Sequence, residues 1–307
     1  MPKVGTYIVW AGLVVAVVPG AGHGGEAKRL GDLIGTQSTA TIRDQDTLLD
    51  IARRHDLGFV ELRAANPRVD PWLPKPGTRV VLPTAHVLPD VARKGFAVNL
   101  ADQRLYYFNS GATTVTTYPI GTPRDGKIIP LGVTRIVGKR KNPTWHPPAS
   151  LRKEDPGLPK SVPPGPDNPL GDFALDTAWT GIVIHGTNKP YGIGRRVSAG
   201  CIRLYPEDIS NLFKAVPIGV RFAVVDQAVK AGWSNTMLYL EVHPSGRQID
   251  AIEEDEQPNP GGPEPLPNLR SYLTTKAGRL ADRIDWRLVE KTASERTGRP
   301  VAILRRR

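Results

Sequence analysis

Cys201 is the only cysteine in 307 residues, and His185 stands sixteen positions before it. A free thiol, with a pKa of about 8.5, is mostly protonated at neutral pH, whereas an imidazole and nearby cations lower that value and supply thiolate. Lys189, Arg195, Arg196 and Arg203 lie in the same stretch, with no acidic residue between His185 and Arg203, so the local charge favours an activated sulfur nucleophile. Small Ala199 and Gly200 beside the thiol leave room for a substrate backbone, and the amides of Gly200 and Cys201 are candidates to hold an oxyanion. A lone cysteine is often only a small buried hydrophobe, and a lone histidine at a strand end is often structural. Their combination with Ser198-Ala199-Gly200-Cys201-Ile202-Arg203 favours a catalytic pair over a structural one. One cysteine excludes an internal disulfide and the common thiolate-rich zinc sites. His146, His185 and Cys201 have zinc-ligand types, but none are closely spaced and the cationic loop repels an ion, so no metal or other cofactor is expected.

These residues need a rigid frame. From Lys94 the hydrophobic period is two: Phe96, Val98 and Leu100 alternate with small or polar residues, and 105–108 continues as a second strand. Further strands are expected near 114–120, 133–137, 173–176 and 182–185, the last ending on His185. Short strands joined by segments rich in the chain's 30 prolines and 31 glycines predict a mainly β domain, sandwich or barrel-like, closing near Val225. Residues 142–169 are too proline-rich for a core strand and read as a long flap.

Residues 38–84 read as strand, helix, helix, strand. Asp46 is placed to cap a helix bearing Leu48, Leu49, Ile51 and Ala52, a second helix over 59–65 stops at Asn66-Pro67, and Pro76-Gly77 turns the chain into a strand at 79–82. Asp46-Thr47-Leu48, Ile51-Ala52, Leu62, Ala65-Asn66-Pro67 and Pro76-Gly77 resemble a LysM module, which implies binding of cell-wall glycan. Gln45 departs from the glycine more usual there.

The pattern His185-Gly186-Thr187, ten residues, then Ser198 to Arg203 resembles the signature of the YkuD-type, ErfK/YbiS-like L,D-transpeptidases over residues 94–226. Asn142-Pro143-Thr144-Trp145, Asn168-Pro169-Leu170-Gly171 and Arg203-Leu204-Tyr205-Pro206 support it. The resemblance implies a thioester at Cys201 formed from a peptidoglycan tetrapeptide stem with release of D-Ala, and then transfer to an amine. It implies His185 as proton carrier, oriented by the Gly186 carbonyl, and an oxyanion amide at Gly200. Arg203, Ser198, Trp145 and Arg196 are the implied substrate-binding residues, with Ser198 more a loop-orienting residue than a reacting one. Ala199 stands where many members carry a second histidine, which shifts oxyanion binding onto backbone amides. The acyl acceptor stays open between a stem amine, giving a 3-3 crosslink, a lysine of an outer-membrane lipoprotein, and water, which makes the enzyme a carboxypeptidase or hydrolase. A non-catalytic wall-binding protein is the rival reading, and carbapenem acylation of Cys201 is a further implication.

Residues 1–22 carry Lys3, an uncharged stretch from Tyr7 to Val18 and a small-residue exit, the pattern of a signal peptide, so a periplasmic protein is expected. Residues 227–307 read as an extension: a strand, an acidic linker from Glu253, and basic helices spaced by Leu269, Leu273, Leu280, Ile284 and Leu288. Eleven Lys and Arg against four Asp and Glu fall in 270–307, most of the chain's net +11. Peripheral attachment to an anionic envelope surface follows as an expectation. Nucleic acid is not an expected partner, because aromatic and basic residues do not interleave.

Overall fold

The Thr47 hydroxyl accepts the Asp50 amide while the Asp50 carboxylate accepts the Thr47 amide, and this reciprocal cap starts helix α1 (Leu48–Arg54). Asp46, the cap expected from sequence, instead holds the Arg54 guanidinium and the Arg43 amide. The structure is a computed structural model that describes residues 26–28, 31–109, 114–254 and 264–305. The expected signal segment, 1–22, and Asp255-Glu256 of the acidic run lie outside the described residues.

In the N-terminal unit, strand β1 (Ser38–Thr41) pairs antiparallel with β2 (Arg79–Leu82), and α1 is followed by α2 (Phe59–Ala65). Ile42, Leu48, Ile51, Leu62, Val80 and Leu82 form its core. Asn66 shows why the helix stops where it does. Its side-chain amide donates to the Leu62 and Val81 carbonyls, and its carbonyl oxygen accepts the Val81 amide at 2.8 Å, so a buried side chain completes the ladder of β2.

The central domain is one mixed sheet. After β3 (Gly95–Asn99), β4 (Arg104–Phe108) and β5 (Thr114–Pro119) come β6 (Gly132–Lys141), β7 (Phe173–Thr177), β8 (Val183–His185), β9 (Ile202–Arg203) and, beyond helix α3 (Pro206–Ala215), β10 (Arg221–Val225). With Glu26–Lys28 at one edge, the order continues β5-β4-β3-β10-β6-β7-β8-β9. The β10/β3 and β8/β9 pairs are parallel. Phe96 and Leu105 from one end of this order share a core with Ile184 and Ile202 from the other, so the sheet curls over a single interior closed by Ile209 and Leu212 of α3. That curled sheet is the form the expected sandwich or barrel-like build takes. Ala97, Tyr106 and Phe108 face a second, smaller core with Ile34 and Leu88, so these strands are buried on both faces.

The extension folds on itself. Strands β11 (Val229–Ser234), β12 (Met237–Val242) and β13 (Val301–Ala302) make a three-stranded sheet, packed through Leu273, Ile284 and Val289 against helices α5 (Leu269–Ala277) and α6 (Trp286–Glu295). Glu253, read from sequence as the start of a linker, ends helix α4 (Gly246–Glu253) and accepts the Arg196 amide.

Two seams bind the three units. Helix α2 presents its first amides to the loop after His185: Phe59 N–H donates to the Ile193 carbonyl at 3.3 Å and Val60 N–H to the Gly194 carbonyl at 3.1 Å. Helix-terminal donors that lack intrahelical partners thus find acceptors on another unit. A Cβ on Gly194 would sit 2.1 Å from the Gly58 Cα, so this contact requires glycine. Arg53 forks onto Glu207 of α3 at 2.9 and 3.0 Å, and Ile249 and Ile252 of α4 pack on Phe59 and Val60. The second seam is a buried polar cluster. Lys230 of β11 contacts Asp102 at 2.6 Å, Glu241 of β12 at 2.7 Å and the Tyr106 hydroxyl at 3.0 Å. Beside it, Arg104 of β4 pairs with Glu61 of α2 at 2.7 Å. Asp102, Glu241 and His243 have the spacing of a metal-binding group, but the Lys230 ammonium sits against the two carboxylates.

Candidate active site

In the parallel register, Ile184 pairs with Ile202 and His185 with Arg203. Both isoleucines are fully buried in the core. Side chains alternate along a strand, so His185 and Arg203 turn away from that core, and Cys201 immediately precedes β9. The sixteen-residue separation read from sequence therefore becomes two adjacent strands. Gly121 ties the end of this pair, exchanging backbone bonds with Arg203 at 2.8 and 3.0 Å.

The buried His185 ring holds its Nδ1 2.6 Å from the Gly186 carbonyl oxygen. A carbonyl only accepts, so Nδ1 carries the proton and Nε2 keeps its lone pair. Burial, with Arg203 and Arg140 close by, lowers the imidazole pKa from 6.5 to about 3, and the Gly186 and Leu170 carbonyls act the other way without reversing it. Burial pushes the Cys201 thiol up from its ordinary value, and the Val183 amide, Arg203 and Arg140 oppose this without overcoming it. The thiol rests 3.6 Å from the Gly181 carbonyl. The resting pair is therefore neutral thiol and neutral imidazole, not the thiolate expected from the run of cations. Desolvation is the term that charge counting along the sequence omits.

Those cations are also distributed differently from their order in the chain. Arg196 is turned away from the sulfur: it bonds Asp250 of α4 at 2.7 Å, lies 3.6 Å from Asp125, and gives its amide to Glu253. The substrate-binding role expected of it is replaced by docking of the extension. Arg195 likewise faces Glu253 at 3.5 Å, and Lys189 is exposed. Arg203 alone of the four acts electrostatically on the thiol, and its buried Nε has no partner. The second cation near the pair is Arg140 on β6, which donates a fork of bonds to Asp176 of β7 at 2.7 and 2.9 Å. No sequence signal marks it, because only the pairing of β6 with β7 brings it to the site.

Ser198 orders the turn before the nucleophile: its hydroxyl donates to the Cys201 carbonyl and accepts the Gly200 amide at 3.3 Å. The Gly200 amide is thus committed within the loop, which leaves the Cys201 amide as the oxyanion candidate. Gly200 has φ +128°, and nothing lies within 4 Å of where a Cβ would sit, so glycine here serves the backbone conformation beside open space. Trp145 is half-buried in the flap and bridges Val162 by two 2.9 Å backbone bonds. The flap also contains a short helix, Ala149–Glu154, and is pinned at its base by Asn168. The side-chain amide of this fully buried residue donates to the Pro143, Val162 and Pro163 carbonyls, while its oxygen accepts the Leu170 amide at 2.9 Å. The Leu170 carbonyl then reaches the His185 ring. The Asn-Pro-Leu-Gly run was visible in sequence, but its link to the imidazole was not.

A family model for the L,D-transpeptidase catalytic domain, YkuD, matches residues 93–225. The chain is 38% identical over 284 residues to the probable L,D-transpeptidase ErfK/SrfK of Escherichia coli strain K12, covering 88% of this chain and 87% of that protein. It is 37% identical over 281 residues to the probable L,D-transpeptidase YbiS of the same strain, covering 88% of each. With the probable L,D-transpeptidase YcfS, also of that strain, it shares 37% identity over 273 residues, covering 85% of this chain and 82% of that protein.

Proposed function

Because the chain belongs to the YkuD family of L,D-transpeptidases, we propose that it is a peptidoglycan transpeptidase in which Cys201 is the nucleophile and His185 the proton carrier. The observation that carries this reading is the parallel pairing of β8 with β9, which sets the residue after the thiol, Ile202, beside the residue before the Nδ1-protonated imidazole, Ile184. As the sulfur attacks the amide carbonyl between the diamino acid and the terminal D-Ala of a tetrapeptide stem, its proton passes to His185 Nε2. The Cys201 amide, with Arg203 and Arg140 nearby, takes up the developing negative charge. The C–N bond breaks, the imidazolium returns its proton to the departing amine, and a thioester remains. An acceptor amine then gives its proton to Nε2 and displaces the sulfur, which takes that proton back and restores the neutral pair. An imidazole that protonates only near pH 3 is a weak base but, once protonated, a strong acid. Proton transfer is therefore coupled to bond making, and departure of the amine is favoured. The unpartnered Nε of Arg203 suits a stem carboxylate.

The N-terminal unit, whose βααβ order and Asn66 pin fit a LysM module, serves as the glycan anchor in this reading, with Trp72, 40% exposed, available to stack on sugar. The protein acts in the periplasm, and a carbapenem acylates the same sulfur. Incubation of the full chain with a disaccharide tetrapeptide is expected to give a mass gain confined to Cys201 with release of D-Ala. Adding a stem amine, a lipoprotein lysine peptide or water alone identifies the acceptor by product mass. Binding without a covalent adduct overturns the catalytic reading.

Removing the flap pin tests how the histidine is held. Asn168→Ala leaves buried carbonyls and the Leu170 amide short of partners, at a cost of about 1–3 kcal/mol. Since the Leu170 carbonyl reaches the imidazole, kcat/KM is expected to fall roughly 10- to 100-fold, as about 1 Å of misplacement does. An unchanged kcat/KM with lowered stability would show that the flap does not position His185.

A further inference from the structure

A recess of about 740 Å³ runs along the seam between the N-terminal unit and the C-terminal extension. Arg68 and Arg79 line it from the first unit and Arg296 and Arg299 from the second, against a single acid, Glu295. Arg296 is only 3% exposed. One arm of the Arg296 guanidinium donates to the Glu264 carbonyl at 2.6 Å and one arm of Arg299 to the exposed Gln37 side chain at 3.1 Å, but the Nε of each is buried without a partner. A buried charged donor with no acceptor is costly, and the planar fork of arginine matches a carboxylate or phosphate. The catalytic reading uses none of these residues.

We propose that this seam is a second wall-binding site, which takes the carboxylates of peptidoglycan stem peptides at a distance from the sulfur. The assignment rests on reading the protein as a wall enzyme. It goes beyond glycan binding by the N-terminal unit, because the buried donors belong to the extension. Shape selects the occupant: a recess of this size with arginines on both walls admits a side branch of a polymer, whereas a membrane surface contacts only exposed faces. Walls from two units also mean that an occupant bridges them, adding a second point of attachment whose effect multiplies with that of the glycan anchor.

The full chain carrying Cys201→Ala is titrated with three probes: wall glycan stripped of stems, soluble glycan bearing tripeptide stems with free carboxylates, and vesicles containing phosphatidylglycerol. Stem-bearing chains are expected to bind at least tenfold more tightly than stripped ones. Arg68→Gln with Arg299→Gln, which spares the most buried arginine, is expected to abolish that gain while leaving the binding of stripped glycan and Tm unchanged. Arg296→Gln should do the same where it folds. A stem-dependent gain that survives the double substitution, or arginine dependence seen only with vesicles, overturns the proposal. Loss of stripped-glycan binding alone, with the arginine-dependent gain intact, defeats the glycan-anchor reading and leaves this one standing.

Discussion

Replacing Cys201 with alanine is expected to lower acyl transfer by at least about 10⁴-fold, since removal of a nucleophile leaves only binding and oxyanion stabilisation. The protonation state of the resting pair adds a sharper expectation. Burial lowers the His185 pKa to about 3, and burial raises the Cys201 thiol above its ordinary value. Across about pH 6 to 8, therefore, both groups are neutral, and the thiolate fraction grows about tenfold per pH unit. Alkylation of Cys201 by iodoacetamide should climb through that range without a plateau, and kcat/KM should show no histidine inflection near 6.5. His185→Gln should leave the alkylation profile in place yet slow acyl transfer by roughly 10²- to 10⁴-fold, because the proton carrier is lost while the thiol environment is kept. A plateau in alkylation near neutral pH would mean a preformed thiolate–imidazolium pair and would refute the neutral one.

Lys230→Met is expected to cost about 3–5 kcal/mol, because it leaves buried carboxylates facing each other without their cation. Lys230 is 1% exposed and contacts Asp102, Glu241 and Tyr106. For Asp102, burial pushes the carboxyl up, while Lys230 and His243 more than offset that and hold it below its ordinary 3.8. A carboxyl depressed in the folded state contributes stability that is present above its unfolded pKa and lost as pH falls through the folded value. Removing Lys230 reverses the sign: Asp102 becomes easier to protonate folded than unfolded, so the penalty should shrink on acidification. The denaturation midpoint difference between Lys230→Met and the parent is therefore expected to be smaller at about pH 4.5 than at pH 7. Adding Asp102→Asn should recover part of the loss, since breaking a buried pair costs more than neutralising it. Equal penalties at both pH values would show that Asp102 is not the charge left stranded. The same cluster joins β4 of the central domain to β11 and β12 of the extension, so trypsin should release the extension faster from the variant than from the parent.

Legibility varied with how local the deciding force was. The strands at 104–108, 114–119 and 173–177 and the helix at 59–65 follow from alternation or from punctuation by Asn66-Pro67, signals carried within a few residues. The helical cap was misread by one position because Asp46 and Thr47 are both good capping residues, and the competing claim of Arg54 on Asp46 is made across a turn. Helix α4 has no counterpart in the sequence pattern. It runs into the acidic stretch read as a linker, and it becomes a helix with a buried face because Ile249 and Ile252 find Phe59 and Val60 of another unit. At the site, His185 and Cys201 were legible from type and spacing, whereas Arg140, the Gly181 and Leu170 carbonyls and the loss of Arg196 to Asp250 were not.

Residue chemistry and short-range pattern alone determined that an imidazole would lie at a strand end, sixteen residues before a thiol, in a mainly β domain behind a βααβ unit. Tertiary structure decided the rest: which charges surround the sulfur, that burial outweighs them, and that the extension closes over the other two units. The reason is physical. Hydrophobic periodicity and backbone punctuation act between near neighbours, whereas desolvation and ion pairing depend on how much water remains at a point in space, which is known only once distant segments have packed there.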